Sequence, residues 1–345
     1  MVFDQFITTL YSGKVNTEIT RALIKGNKIL PIFHTFQIGE GSLKRASKIY
    51  FDNNTIPPDE VFVTTIHPSK AVFQQLEMPS VKNKKNFLRI ANFKIATQFS
   101  LSPEETIVSP LTSVKAIQSG IVPTIAVTRN SMLKERLTEL RNLGFPEPDI
   151  VDINPFPIMK VTPENVLEGF SFVFLVDYDF SMFMAVKQKE IVGLNYIDSG
   201  FSELLDNIEN DFPFEQDEII LRFFNSIENV EESLIEKFSE VLESILGYQL
   251  RMYITNTLSN SPNMNQSEEE AYNKVFIRSQ SNLSTAIYKE TLNRILEGEK
   301  IVNSLPLKYD KAITPSFSSQ GMLLRGGEYL GRHKLTFKEA FNKNV

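Results

Sequence analysis

The stretch from Phe170 to Ile197, FSFVFLVDYDFSMFMAVKQKEIVGLNYI, constrains the fold more than any other part of the chain. Its first run, Phe172 to Val176, is apolar at every position and reads as a buried strand. A second apolar run follows, then a polar turn near Gln188, then a third, which together make a β-meander. The break between the first two runs places Asp177 and Asp179 around Tyr178. Two carboxylates so placed offer hard oxygen ligands to Mg²⁺, although Mg²⁺ in such sites relies on substrate phosphates to complete its shell. The other reading is a solvated turn at a strand end.

The remaining elements alternate in type. FITTLYSG reads as a strand, VNTEITRALIKGNKI gives a hairpin signal with a Gly26-Asn27 turn, residues 42–54 are helix-compatible, and EVFVTTI is a strand rich in β-branched residues. Residues 86–97 place Phe87, Ile90, Ala91 and Ile95 at helical spacing, IVPTIAVTRN is a strand, and SMLKERLTELRNLGF is a helix closed by Gly144. In the second half the apolar stripe Val230, Leu234, Phe238, Val241, Leu242, Ile245 and Leu250 marks a long helix, KVFIRSQ a strand and SNLSTAIYKETLNRIL another helix. The tail past Pro306 shows no clear element. A chain of 345 residues exceeds what one core usually serves, so two lobes are expected.

A net charge of −6 without a long basic cluster argues against a nucleic-acid partner. The chain has no cysteine, which excludes thiolate chemistry and disulfides and permits a reducing compartment. The N-terminus lacks a secretory signal pattern, and no apolar run approaches the ~20 residues that span a bilayer. The expected location is the cytoplasm, with membrane association only through a partner. His34, His67 and His333 are far apart in sequence and read as structural or surface residues.

Three stretches resemble the bacterial PilM family of type IV pilus assembly proteins, which is related to the cytoplasmic part of GspL-type secretion proteins. Leu76-Glu77-Met78-Pro79 and Leu101-Ser102-Pro103-Glu104-Glu105 match its first-lobe segments, and Asp152, Pro155 and Phe156 match its turn into the second lobe. The meander followed by YIDSG matches the third. The resemblance implies an α/β, actin-like (ribonuclease H-like) fold of two lobes, residues 1–168 and 169–345. It also implies a small subdomain inserted at about 69–128, a helical insertion at about 206–269 and a poorly defined tail from about 306.

The resemblance also implies where nucleotide would bind, and there the sequence departs from the family pattern. The first phosphate loop retains only Gly13 and Lys14. The second keeps Asp177 but replaces glycines with Tyr178, Asp179 and Phe180 before Ser181, although glycines let amides approach phosphate oxygens. The adenosine site reads Ser279-Gln280 in place of a glycine pair, and the Gly-Gly at 326–327 lies in the tail. The expectation is therefore a scaffold that is not an enzyme and has no cofactor, with a weak ATPase or ATP-responsive switch using Mg²⁺-ATP as the alternative. The implied partner is the N-terminal cytoplasmic segment of a PilN-like inner-membrane protein, with self-association also open. Gln74 and Gln75, on a strand of the inserted subdomain, are candidate contact positions.

Overall fold

The computed structural model describes residues 4–79, 81, 83–153, 170–208, 232–259, 274–279, 282–296, 301–304, 316–331 and 336–337. The chain opens with strands β1 (Gln5–Ser12), β2 (Asn16–Lys25) and β3 (Lys28–Ile38), helix α1 (Ser42–Asn53) and strand β4 (Val61–Ile66). Then come β5 (Ala71–Gln75), α2 (Lys84–Phe99), β6 (Thr106–Pro110), α3 (Val114–Gln118), β7 (Thr124–Arg129), α4 (Asn130–Asn142) and β8 (Ile150–Ile153). The second half holds β9 (Phe170–Val176), β10 (Ser181–Lys187), β11 (Glu190–Ile197), α5 (Phe201–Ile208), α6 (Glu232–Ser259) and β12 (Lys274–Arg278). It ends with α7 (Asn282–Ile295), β13 (Ile301–Ser304), α8 (Phe317–Tyr329) and β14 (Thr336–Phe337).

Two compact units emerge: Met1–Pro68 with Met132–Val161 and Leu307–Val345, and Ser69–Ser131 with Thr162–Pro306. This partition differs from the expected boundary at 168 in two places. The inserted subdomain groups with the second sheet, and the C-terminal helix groups with the first.

The first unit is built on a sheet of order β14-β3-β2-β1-β4-β8. β1, β2 and β3 run antiparallel, and Gly26 makes the β2–β3 turn at φ 62°, a conformation that glycine adopts without Cβ strain. β4 lies parallel to β1 and is buried along its whole length, as a central strand covered on both faces requires. One face packs Leu10, Ile19 and Phe62 against Ala46 and Tyr50 of α1, Leu140 of α4, and Phe145. Phe62 and Phe145 stack at 5.4 Å. On β1, β2 and β4 lies α8, so the tail that showed no element in sequence forms a helix, and Gly326 sits inside it. A Cβ on Gly326 would come within 2.8 Å of Ile7 Cγ2, so the glycine lets helix and sheet approach closely. Its three glycines, Gly321, Gly326 and Gly327, had masked the helix, since glycine costs about 1 kcal/mol per helical position.

The second unit repeats the topology. Its sheet has the order β11-β10-β9-β12-β13, with β9, β10 and β11 antiparallel and β12 and β13 parallel to β9. The expected meander is present, and β9 is buried at all seven positions. Phe172 and Phe183 stack at 5.5 Å across the β9–β10 pair, a cross-strand contact that stabilises the sheet. Helix α6 packs on α7, β10 and β11 and buries Phe238, Leu242, Leu246 and Leu250, so this long helix covers the sheet. Residues 69–131 add a separate three-stranded sheet, β5-β7-β6, with Phe87, Ala91 and Ile95 of α2 packed on Ile125 and Val127. This subdomain covers the edge of β11: Thr112 Oγ1 donates to the Ile191 carbonyl at 3.0 Å, and the Ser113 amide donates to Glu190 at 2.7 Å. A sheet edge carries unpaired backbone groups, and the bond from Thr112 satisfies one of them, while the Ser113 bond is made to the Glu190 side-chain carboxylate.

Candidate functional site

Asp177 and Asp179 lie in the four-residue loop that joins β9 to β10, and Ser181 opens β10 directly after it. The loop is closed on itself: the Asp177 amide donates to the Phe180 carbonyl at 2.8 Å, and the Tyr178 amide donates to Asp177 Oδ1 at 2.7 Å. It is also sealed from outside by the turn into α5. The Phe201 amide donates to the Asp177 carbonyl at 2.9 Å, and the Ser202 amide to the Tyr178 carbonyl at 2.7 Å. Ser181 Oγ donates to the Ser199 carbonyl at 2.7 Å, which fixes the same turn to the start of β10.

Gly200 permits this fit. A Cβ there would collide with the Phe180 amide nitrogen and lie 2.6 Å from the Tyr178 carbonyl oxygen and 2.7 Å from that of Asp177. The Tyr288 hydroxyl of α7 donates to the Gly200 carbonyl at 3.0 Å, and burial first, then Glu203, pushes the Tyr288 pKa well above the phenolic range. Tyr178 and Phe180 of the β9–β10 loop are core residues, 1% and 0% exposed. Asp177 and Asp179 are buried too, so the reading of this break as a solvated turn is corrected. The physical reason lies in Gly200, which lets a second turn close over the first.

Ser279 follows β12. Because Arg278 pairs with Leu175 on β9, Ser279 stands level with Val176 at the carboxyl ends of two adjacent parallel strands, where ligands of α/β sheets commonly bind. Its amide donates to Thr285 Oγ1 at 3.0 Å and the residue is fully buried. Gln280 lies outside the described residues. Gly13 and Lys14 occupy the β1–β2 turn of the first unit, where the Gly13 amide donates to the Asn16 carbonyl at 2.8 Å and Lys14 is exposed.

Gln74 and Gln75 sit on β5, at one edge of the three-stranded sheet. Both side chains are engaged within the chain: Gln74 exchanges amide bonds with Gln98 of α2 at 3.3 Å, and Gln75 Nε2 donates to the Val192 carbonyl of β11. Any contact made by these side chains therefore competes with an intrachain bond.

Two buried carboxylates of the first unit escaped the sequence reading. Glu18 accepts from His34 Nε2 at 2.8 Å, from the Ser316 amide at 2.8 Å and from Ser316 Oγ. Burial acts to raise its pKa, but the hydrogen bond and charge of His34 and the two Ser316 donors outweigh it and hold the carboxyl below its usual range. His34 thus takes a structural role that ties β3 and β2 to the start of α8. Glu60 receives Arg21 Nε at 3.0 Å and Nη2 at 2.7 Å, and Thr8 Oγ1 at 2.5 Å. Burial first pushes the neighbouring Tyr50 up to about 12, so it stays protonated beside Thr8. The only signal of either cluster in sequence is a charged residue on an otherwise strand-like run. Among the described residues no group of three or more His, Cys, Asp or Glu is placed to hold a metal ion, and no helix is long and apolar enough to cross a membrane.

The twice-repeated order of an antiparallel three-strand meander continued by two parallel strands decides the fold class, and a solved structure agrees. A PilM-PilN type IV pilus biogenesis complex contains a chain that superimposes with a TM-score of 0.62 at 14% identity, covering 93% of this chain and 98% of that one. The chain has the actin-like fold. A second solved structure, at lower similarity, is the cytoplasmic domain of EpsL, an inner-membrane component of the type II secretion system of Vibrio cholerae. There the TM-score is 0.40 and the identity 11%, with 84% of this chain and 95% of that one covered. MreB 5 of Spiroplasma citri bound to AMPPNP gives a TM-score of 0.44 at 8% identity, with 94% and 96% covered. No protein-family model matches the sequence, and no curated protein matches it. The actin-like fold alone leaves function to be argued from the residues.

Proposed function

We propose that this chain is an actin-like scaffold without ATPase activity, which docks the cytoplasmic N-terminal segment of a PilN-like inner-membrane protein in a type IV pilus, type II secretion or DNA-uptake machine. The observation that carries the reading is the sealed β9–β10 loop. A phosphate cradle needs free amides and room for the ligand, whereas here the Asp177 and Tyr178 amides are spent inside the loop and Tyr178 and Phe180 are core residues. The departures at Gly13-Lys14 and Ser279 support the same reading. Likeness of shape to the chain of the PilM-PilN complex, over nearly the whole of both chains, supports the choice of partner. The subdomain at 69–131 is the proposed landing place, because an extended segment gains main-chain bonds at a sheet edge and β5 and β6 are its edge strands.

Titration calorimetry with Mg²⁺-ATP tests the first half: no binding is expected below roughly millimolar concentration, the weak end of the affinity scale. A micromolar isotherm that is lost in Asp177→Ala would replace this reading with the ATP-responsive switch. Capture of the protein by a PilN-like N-terminal peptide tests the second half. Retained capture after Gln74→Glu and Gln75→Lys, with loss of capture after charge reversal at Glu236 and Glu243 of α6, would move the docking site away from the subdomain.

A further inference from the structure

The outer face of α2 combines exposed cations with an exposed phenylalanine. From Met78 to Pro103 the sequence contains Lys82, Lys84, Lys85, Arg89 and Lys94 and not one acid, in a chain whose net charge is −6. The helix buries Phe87, Ala91 and Ile95 against its sheet, which turns Lys85, Arg89 and Phe93, spaced four residues apart, onto the opposite face. Phe93 is 66% exposed, the highest value of any phenylalanine, isoleucine, leucine or valine among the described residues. Lys84, Lys85 and Arg89 are exposed and make no ion pair among the described residues. The helix is firmly built: Asn83 caps its start by accepting from the Asn86 amide at 2.9 Å, and Ser100 closes its end in the left-handed region at φ 54°.

We infer that this face of α2 is a contact surface for anionic lipid headgroups. Its charge complements an anionic bilayer, and its shape selects a bilayer over an acidic peptide. A peptide is held by a groove or a sheet edge, whereas Phe93 protrudes from the convex side of a helix between cations, the arrangement that settles at a headgroup boundary. Phe93 would enter the interface while Lys85 and Arg89 meet phosphates. The inference does not depend on the docking partner, and its test contains none.

The chain has no tryptophan, so Phe93→Trp introduces a single reporter at the proposed point of entry. With vesicles of phosphatidylglycerol and phosphatidylcholine its emission should shift to the blue and be quenched by brominated acyl chains. Pure phosphatidylcholine vesicles should leave it unchanged. Adding Lys85→Glu and Arg89→Glu should lower vesicle partitioning by at least about fivefold for each charge removed, and raised salt should lower it as well. Circular dichroism and gel filtration of each variant establish that it is folded. An emission that does not move with anionic vesicles, or binding that the charge reversals leave intact, overturns the inference. Equal binding to soluble polyglutamate without an emission shift also overturns it, in favour of an acidic protein partner.

Discussion

Gly200→Ala should be among the most damaging single-methyl changes this chain can suffer. The added Cβ meets the Phe180 amide nitrogen and two carbonyl oxygens, of Tyr178 and Asp177, and all three are backbone atoms with no rotamer through which to retreat. Relief requires moving the β9–β10 loop away from the turn into α5. That movement stretches the bonds from the Phe201 and Ser202 amides and the bond from the Tyr288 hydroxyl. Overpacking in a rigid core costs about 1–3 kcal/mol. Each weakened buried hydrogen bond adds about 1 kcal/mol. The expected loss is about 4–6 kcal/mol, a large part of the roughly 5–15 kcal/mol that holds a typical domain together. Gly26→Ala is the control, because its Cβ meets nothing within 4 Å and carries only the strain of φ +62°, about 1–2 kcal/mol. Urea unfolding measures both variants, and hydrogen exchange of peptides covering β9 and β10 assigns the loss to the second unit. A loss under about 1 kcal/mol, or one no greater than that of Gly26→Ala, would show that the loop is not sealed by this turn and would remove the main support for a scaffold without nucleotide.

Glu18→Gln should cost about 2–3 kcal/mol near neutral pH, since charge-assisted bonds from His34 and Ser316 become neutral ones. The folded-state pKa of Glu18 lies below its ordinary value of 4.5, so its contribution is complete above that pH and is lost as pH falls through the folded value. The wild type should therefore lose stability in acid more steeply than the variant, and parallel acid limbs in thermal melts would refute the assignment. Arg21→Ala leaves the Glu60 carboxylate buried without its fork of donors and should cost about 3–5 kcal/mol. In the same urea assay the double change with Glu60→Gln should recover part of that loss. Gly326→Ala should cost less than Gly200→Ala, because the methyl meets the side chains of Ile7 and Val63, which can shift, and gains about 1 kcal/mol of helix propensity. A change in melting temperature as large as that of Gly200→Ala would contradict the distinction drawn between side-chain and backbone clashes.

Periodicity was enough to read β9, β10 and β11, the β2–β3 hairpin at Gly26, the core face of α2 and most of α6, because each is set by apolar spacing within one short segment. The identity of Tyr178, Asp179 and Phe180 after Asp177 was equally local, since it is read directly from the sequence. Other features depend on residues far apart in the chain. Helix α8 was hidden by its glycines, and only the surface of β1 and β4 that it covers shows why Gly326 is there. Glu18 meets Ser316 across 298 positions, and Gln75 finds its acceptor on β11, 117 positions away. Burial of Asp177 and Asp179 follows from Gly200, which a reading of their own loop does not include. Spacing along the chain determines which elements form, whereas the free-energy cost of leaving a buried polar group or a sheet edge unpaired is met only once distant segments come together.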